Sequence, residues 1–208
     1  MPDFLKVSNC VFDNIALESM SLFLGIEILA TATSLGYLIL LIRQNTWCWP
    51  LAIVSGALSI YLFLESKLYS ESILYGYYVL IALYGWWNWS RPKVAVKVSI
   101  WKLKYHLMII PVGMLLSIGL GHLFITYTDA DRPYLDATTT IFSFIASVLE
   151  ARKILSGWIY WIIINGVTVG LYFSKSLDIY AGLMVIYFLM SIIGYREWRK
   201  DYSKIQGG

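Results

Sequence analysis

Charge is scarce in this chain: Asp, Glu, Lys and Arg supply 14% of its 208 residues, where an ordinary soluble domain carries about 25%. Cysteine is almost missing. Cys10 and Cys48 are the only two, far apart and without a Cys-x-x-Cys, so neither a zinc ribbon nor a disulfide-stapled secreted fold fits. Histidine is limited to His106 and His122, neither of which carries a catalytic role here. With no P-loop, HExxH, GxSxG or paired metal-ligand motif, the chain lacks the chemistry of ATP-driven pumping and intramembrane proteolysis, and no cofactor, metal or nucleic acid is called for. Proline occurs five times, and only Pro50 and Pro111 fall within apolar runs.

What fills the chain instead is apolar: 59% hydrophobic residues and a mean hydropathy of +0.66. At roughly 20 residues per membrane-spanning helix, this length holds seven or eight spans and little else. Seven runs are expected to be helical, at 21–42, 47–64, 70–89, 106–127, 134–150, 155–173 and 179–197. Between them lie polar and charged breaks such as Arg43-Gln44-Asn45, Glu65-Ser66-Lys67 and Arg152-Lys153. Such breaks fall where backbone must meet water, because unpaired backbone groups are too costly in lipid. Residues 1–20, with Asp3, Lys6, Asp13 and Glu18, read as a short polar lead-in outside the membrane.

Orientation follows from the cations. With the amino terminus outside, twelve of the sixteen Lys and Arg residues fall on the cytoplasmic side, among them the basic stretch of residues 90–104 and the tail from 199 to 208. The carboxylates divide the other way, so the net charge of +3 is the small difference between an acidic outer layer and a basic inner one. All nine tryptophans lie at or near inner helix ends, as an interfacial belt would place them.

An offset of 109 aligns residues 27–89 with 136–198 without a gap, pairing Glu27 with Asp136, Arg43 with Arg152, Trp49 with Trp158, Tyr78 with Tyr187, Gly85 with Gly194 and Trp89 with Trp198. Few pairs are identical, but helices, breaks and charges stay in phase. A shift of four helices is even, so both copies share one orientation. The expected fold is therefore an all-α integral membrane protein of seven transmembrane helices, with its amino terminus outside and its carboxyl terminus inside. Two parallel three-helix repeats, 21–89 and 134–198, are joined by a basic loop and linker helix over 90–128. Parallel repeats about an axis along the membrane normal belong to a known transporter plan, with the substrate between them near midplane.

Several residues are candidates for that substrate. Trp161 and Asn165 are four apart on the sixth helix and share a face, one offering an aromatic surface and the other an amide, a pair suited to a flat hydrogen-bonding heterocycle. The competing reading makes Trp161 part of the belt and Asn165 a helix-helix hydrogen bond. Glu71, Tyr75 and Tyr78 share a face of the third helix, with Tyr187 as the repeat mate of Tyr78, and packing between helices is the other use of such tyrosines. Glu27, Asp136, Glu71 and Asp178 would make the outer approach negative and gather a cation, or else hydrate helix ends and pair with nearby lysine or arginine.

Trp49-Pro50 through Leu68-Tyr69, Tyr84-Gly85-Trp86-Trp87-Asn88-Trp89, Trp158-Ile-Tyr-Trp161-Ile-Ile-Ile-Asn165 and Ile193-Gly194-Tyr195-Arg196-Glu197-Trp198 resemble the PnuC family of bacterial vitamin transporters, over nearly the whole chain after residue 20. The resemblance implies facilitated diffusion of a B vitamin or its nucleoside precursor across the bacterial inner membrane, trapping by a cytoplasmic kinase, and a homotrimer. It also implies that the Trp-x-x-x-Asn residues, here Trp161 and Asn165, line the substrate site. Nicotinamide riboside transporters of the family often carry a Gln some nine residues before the Tyr-Gly-Trp, where this chain has Tyr75 with Glu71 one turn earlier. That departure favours thiamine slightly, with nicotinamide riboside close behind. A sugar carrier of the same three-one-three plan fits less well with an acidic, aromatic site, and no motif recommends a receptor or an enzyme.

Overall fold

The computed structural model describes residues 2–67, 69–91, 96–128, 131–174 and 178–207, with side chains described from residue 21 onward except at 69–70, 178–180 and 206–207. Seven α-helices make up the described residues: α1 (Pro2–Ile42), α2 (Cys48–Glu65), α3 (Tyr69–Trp89), α4 (Leu103–Tyr127), α5 (Pro133–Ala151), α6 (Ser156–Ser174) and α7 (Asp178–Gly207). Each expected run becomes one helix. Two are longer than the apolar runs foretold: α1 takes in residues 2–20, expected as a lead-in, and α7 continues into the polar tail.

Among the described residues, four helices are long and apolar enough to cross a membrane: Ser21–Ile42 of α1, then α2, α4 and α6. The polar content of the others lowers their hydropathy without shortening them. The sequence of α3 carries Tyr75, Tyr77, Tyr78 and Tyr84, α5 carries Thr138, Thr139 and Thr140, and α7 ends in a charged stretch. The outer surface is itself apolar. Leu107, Met108, Leu115, Leu116 and Ile118 of α4 are all exposed, far more hydrocarbon than water tolerates on one helix face and the surface that lipid requires. Little of this chain's apolar content is spent on an interior.

Two compact units divide the chain. The first holds α1 up to Ile39 together with Trp47–Leu83. Its helices approach through small residues: Ser55 of α2 donates from Oγ to the Ala30 carbonyl of α1 (3.1 Å), and Gly56 leaves so little room that a Cβ would lie 2.6 Å from Val79 of α3.

The second unit holds Leu40–Thr46 and the chain from Tyr84 onward. There α5 packs on α4 and α6, and α6 packs on α7. Gly113, Ser117 and Gly121 form the buried stripe of α4, with Phe142, Ile145 and Tyr134 of α5 filling the space where side chains would stand at Gly113 and Gly121. Small residues at such spacing let backbones close in where lipid gives no hydrophobic drive. Ser99, ahead of α4, donates from its N to the Lys153 carbonyl (3.0 Å) and accepts from the Leu155 N (2.9 Å), tying the basic loop to the α5–α6 connection.

Two helix ends of this unit share one backbone geometry. Gln44 and Lys153, 109 residues apart, both adopt left-handed conformations, with φ of 54° and 53°. Each closes the helix before it in the same way: Gln44 N donates to the Leu41 carbonyl (3.0 Å) and Asn45 N to Leu40 (2.9 Å), while Lys153 N donates to Glu150 (2.9 Å) and Ile154 N to Leu149 (2.8 Å). Left-handed residues end many helices this way because they turn the chain back onto its last orphan carbonyls.

Residues 109 apart in sequence also meet each other. Lys153 Nζ donates to Gln44 Oε1 (3.4 Å), and the rings of Trp89 and Trp198 lie 6.0 Å apart. The Trp89 indole, at the end of α3, donates to the Ala151 carbonyl at the end of α5 (3.0 Å). The Trp198 indole of α7 donates to the Leu41 carbonyl near the end of α1 (3.2 Å), one residue short of the position that the offset pairs with Ala151.

The tryptophans correct one expectation. Trp47 (70% exposed) and Trp87 (60%) suit an interfacial belt, but Trp49, Trp89, Trp158 and Trp198 are buried. Their large rings serve as packing, and those of Trp89 and Trp198 also as donors to helix-end carbonyls, roles that sequence position at a helix end does not separate from belt membership.

Candidate functional site

Gly157, Trp161 and Asn165 follow one another at four-residue intervals and so line one face of α6. A Cβ on Gly157 would lie 3.2 Å from Glu150 Cγ and 3.3 Å from the Ala146 carbonyl, so the glycine brings α6 close against the last turns of α5. One turn further on, Trp161 is half-buried against the apolar cluster of Ala146, Leu149, Ile154, Tyr160 and Ile164.

Two neighbouring helices flank this row. From α5, the stem of Glu150 lies against the Gly157 face, one turn before Trp161. Glu150 is 2% exposed, and its Oε1 has no hydrogen-bond partner among the described residues. The two cations next in sequence point elsewhere: Arg152 Nε donates to Tyr84 Oη (3.3 Å), and Lys153 Nζ lies 4.2 Å above the Trp89 ring. From α7, Ser191 accepts a hydrogen bond from Asn165 Nδ2 (3.1 Å) and passes its own proton to the Tyr187 carbonyl (2.8 Å). Asn165, 7% exposed, thus makes the helix-helix bond that its competing reading foresaw. That bond uses one of the amide's two donors, and it fixes the plane in which the rest of the amide is presented.

The second unit therefore brings together three of the expected site residues, Trp161, Asn165 and Tyr187, the last through its backbone. Two further members were not foreseen. Glu150 reads in sequence as one more charge beside Arg152-Lys153 at a helix end, and only the approach allowed by Gly157 buries it. Ser191 carries a signal that went unused: it lies one turn after Tyr187, on the face turned to α6.

In the first unit, Tyr75 packs between Phe63 (5.2 Å) and Tyr78 (5.8 Å, edge to face). Glu71 is exposed in the first turn of α3, where a carboxylate meets the positive end of the helix dipole. Glu27 is exposed on α1, and its carbonyl accepts from Thr31 Oγ1 (2.9 Å). On α5, in the second unit, Asp136 is half-buried in the first turn. Asp178 opens α7, and its side chain lies outside the described residues. His106 binds through Nδ1 to the Tyr160 hydroxyl (3.0 Å), as a polar packing residue.

Apolar helices with exposed hydrocarbon faces define a multi-pass membrane protein. The family model described as "Nicotinamide mononucleotide transporter" matches residues 24–200, and the chain belongs to this PnuC-type family of transporters. It is similar to the riboflavin/roseoflavin transporter RibM of Streptomyces davaonensis, 25% identical over 80% of this chain and 82% of that one. It is also similar to the nicotinamide riboside transporter PnuC of Escherichia coli, 20% identical over 66% of this chain and 69% of that one. Its fold matches that of the crystal structure of the vitamin B3 transporter PnuC, with a TM-score of 0.69, 20% identity, and coverage of 86% of this chain and 82% of that one.

Proposed function

We propose that this chain carries a flat heteroaromatic B vitamin across the bacterial inner membrane by facilitated diffusion, with Trp161 stacking on the ring and Asn165 hydrogen-bonding to its edge. The observation that carries the reading is the row on α6, in which half-buried Trp161 packs on an apolar cluster and Asn165 is pre-set by Ser191 of α7. Pre-setting lowers the ordering cost of binding. The relatives with curated names are vitamin or vitamin-precursor transporters, which supports the same class of cargo.

Thiamine is the favoured substrate, because a carboxylate at Glu71 beside Tyr75 and Tyr78 suits a cationic ring, while Glu27, Asp136 and Asp178 make an acidic outer approach. Riboflavin is a second reading, favoured by the likeness to RibM over most of both chains. Nicotinamide riboside completes the set. Seven spans in a three-one-three order, with the amino terminus outside, are supported by the twelve inner cations and the duplicated helix ends at Gln44 and Lys153. Trapping by a cytoplasmic kinase and assembly as a homotrimer rest on the family resemblance.

The test is uptake into liposomes reconstituted with purified protein, without ATP or an ion gradient. Radiolabelled thiamine, riboflavin and nicotinamide riboside are offered separately. Saturable equilibration of one of them, lost in Trp161→Ala and in Asn165→Ala, is expected. Uptake that concentrates substrate and collapses with a proton ionophore overturns the passive mechanism, and no saturable uptake of any vitamin overturns the function.

A further inference from the structure

We propose that the inner end of α7 holds the phosphate headgroup of an anionic phospholipid. The proposal rests on the inner placement of the carboxyl terminus, and not on which vitamin is carried.

α7 changes character within one turn. Leu189 and Ile193 are exposed hydrocarbon, whereas Arg196, Arg199, Lys200 and Lys204 are exposed cations. A helix leaving the membrane in this way brings its first cations to the level of the lipid phosphates. At the transition lies an open groove of about 630 Å³, which begins at Ile192 and Tyr195 and continues along those four cations. Its volume is in the range of small-molecule sites, and no carboxylate is among its described lining residues.

The four cations are not equivalent. Lys200 Nζ is 2.7 Å from Glu197 Oε1, and Lys204 Nζ is 3.5 Å from Asp201 Oδ1. Neither arginine has a carboxylate partner among the described residues. Arg199 is set over the Tyr195 ring, with Cζ 6.0 Å from its centre. Arg196 precedes Arg199 by three residues, a spacing that makes neighbours on a helix surface.

The other face of the helix is already occupied. Gly194 and Trp198 are buried there against the Trp158 ring of α6, and Asp201 is tied to Gln44 (2.6 Å). Trp198 is two residues, or roughly 200° of helix rotation, from Arg196. The groove therefore faces away from the packed interior of the second unit.

Guanidinium groups match phosphate oxygens two at a time. Ile192 and Tyr195 supply the half-buried apolar wall that glycerol and the first acyl carbons require. Charge selects between lipids: a zwitterionic headgroup brings an ammonium with its phosphate, and the described lining offers that ammonium no carboxylate.

The experiment titrates purified full-length protein in a neutral maltoside detergent with phosphatidylglycerol, or with phosphatidylcholine of the same acyl chains. Bound lipid is counted by native mass spectrometry. The parent is expected to prefer phosphatidylglycerol. Arg196→Gln/Arg199→Gln should weaken that binding about thirty-fold, at about fivefold for each cation near a membrane surface. Arg196→Lys/Arg199→Lys, which keeps the charge without the planar fork, should recover part of the loss. Lys97→Gln/Lys102→Gln removes the same charge from exposed positions of the basic loop and should change little.

Equal affinity for the two lipids, or an equal loss in the loop variant, means diffuse attraction alone and overturns the proposal. Inorganic phosphate that displaces the lipid at equal concentration also overturns it, by making the groove a site for a free anion. A smaller oligomeric mass of Arg196→Gln/Arg199→Gln in lipid-free detergent overturns it too, by assigning the groove to a second copy of the chain. If the double variant does not fold, Arg196→Gln alone decides by the same comparisons. Failure to carry any of the three vitamins leaves the lipid result unchanged. The inner placement is checked separately with Ser203→Cys in a Cys10→Ser background, where labelling by an impermeant thiol reagent from outside intact cells overturns it and the inner-leaflet site with it.

Discussion

Gly194→Ala is the sharpest test of how the second unit is packed. Gly194, on α7, faces the Trp158 ring of α6, and a Cβ there would lie 2.5–2.6 Å from Cζ3, Cε3 and Cη2 of that ring. Ordinary contact needs about 3.4 Å or more, so the ring or the helix must retreat by roughly 1 Å. Trp158 has nowhere to go: it is 0% exposed and stands edge-on to Trp198 with ring centres 5.5 Å apart, while Trp198 in turn is bound to the Leu41 carbonyl. Overpacking of a rigid ring sits at the upper end of the usual range, about 3 kcal/mol, offset by about 1 kcal/mol of helix propensity on replacing Gly with Ala. The net loss is about 2 kcal/mol, or a fall of about 4–8 °C in Tm for a chain of this size. Gly182→Ala, on the same helix with nothing within 4 Å of its Cβ, supplies the control and should raise Tm by a few degrees at most. Thermal unfolding of the two variants in one detergent, followed by tryptophan emission, compares them directly. Equal midpoints for Gly194→Ala and Gly182→Ala would refute the packing argument.

Three further outcomes follow from the same contacts. Trp198→Phe keeps the ring stack but strips the donor from the Leu41 carbonyl, and should cost about 1 kcal/mol of stability. Trp89→Phe should cost a similar amount through the Ala151 carbonyl, and because the two rings touch, the double variant should depart from additivity in the same thermal assay. Ser191→Ala removes the acceptor of Asn165 and should weaken vitamin binding several-fold with little change in Tm, since the Tyr187 carbonyl it also releases remains in its helical hydrogen bond; an equal loss in both readouts counts against a binding role for the amide.

Much of this molecule is legible in the residue pattern, for physical reasons. Apolar runs of spanning length stand out because lipid demands them, and the breaks stand out because backbone must be hydrated, so all seven helices fall where the runs are. The repeat is legible because helix ends are chemically expensive to build: Gln44 and Lys153 differ in side chain yet hold the same strained φ and the same pair of bonds. Burial is where the pattern runs out. Glu150 and Arg152 are two residues apart, one among the most buried side chains and the other exposed, and what separates them is a glycine on another helix. Likewise Trp47 and Trp49, two residues apart at the start of α2, differ from exposed to buried, because tryptophan suits both an interface and a core. Asn165 was legible as a polar residue in need of a partner, but nothing local selects Ser191 over other hydroxyls.

The contact between Gln44 and Lys153 has an implication for how such a chain came to be. Two separate, identical three-helix proteins meeting about the same axis would place one residue type opposite itself: two lysines would repel, and two glutamines would simply satisfy each other. A glutamine that donates to Asp201 while accepting from a lysine is closed to two identical chains and open to two halves of one polypeptide that differ in sequence. Fusion therefore does more than raise the local concentration of two partners. It releases the axis from self-complementarity, so that the inner ends of the helices can be tuned asymmetrically while the framework around them stays duplicated.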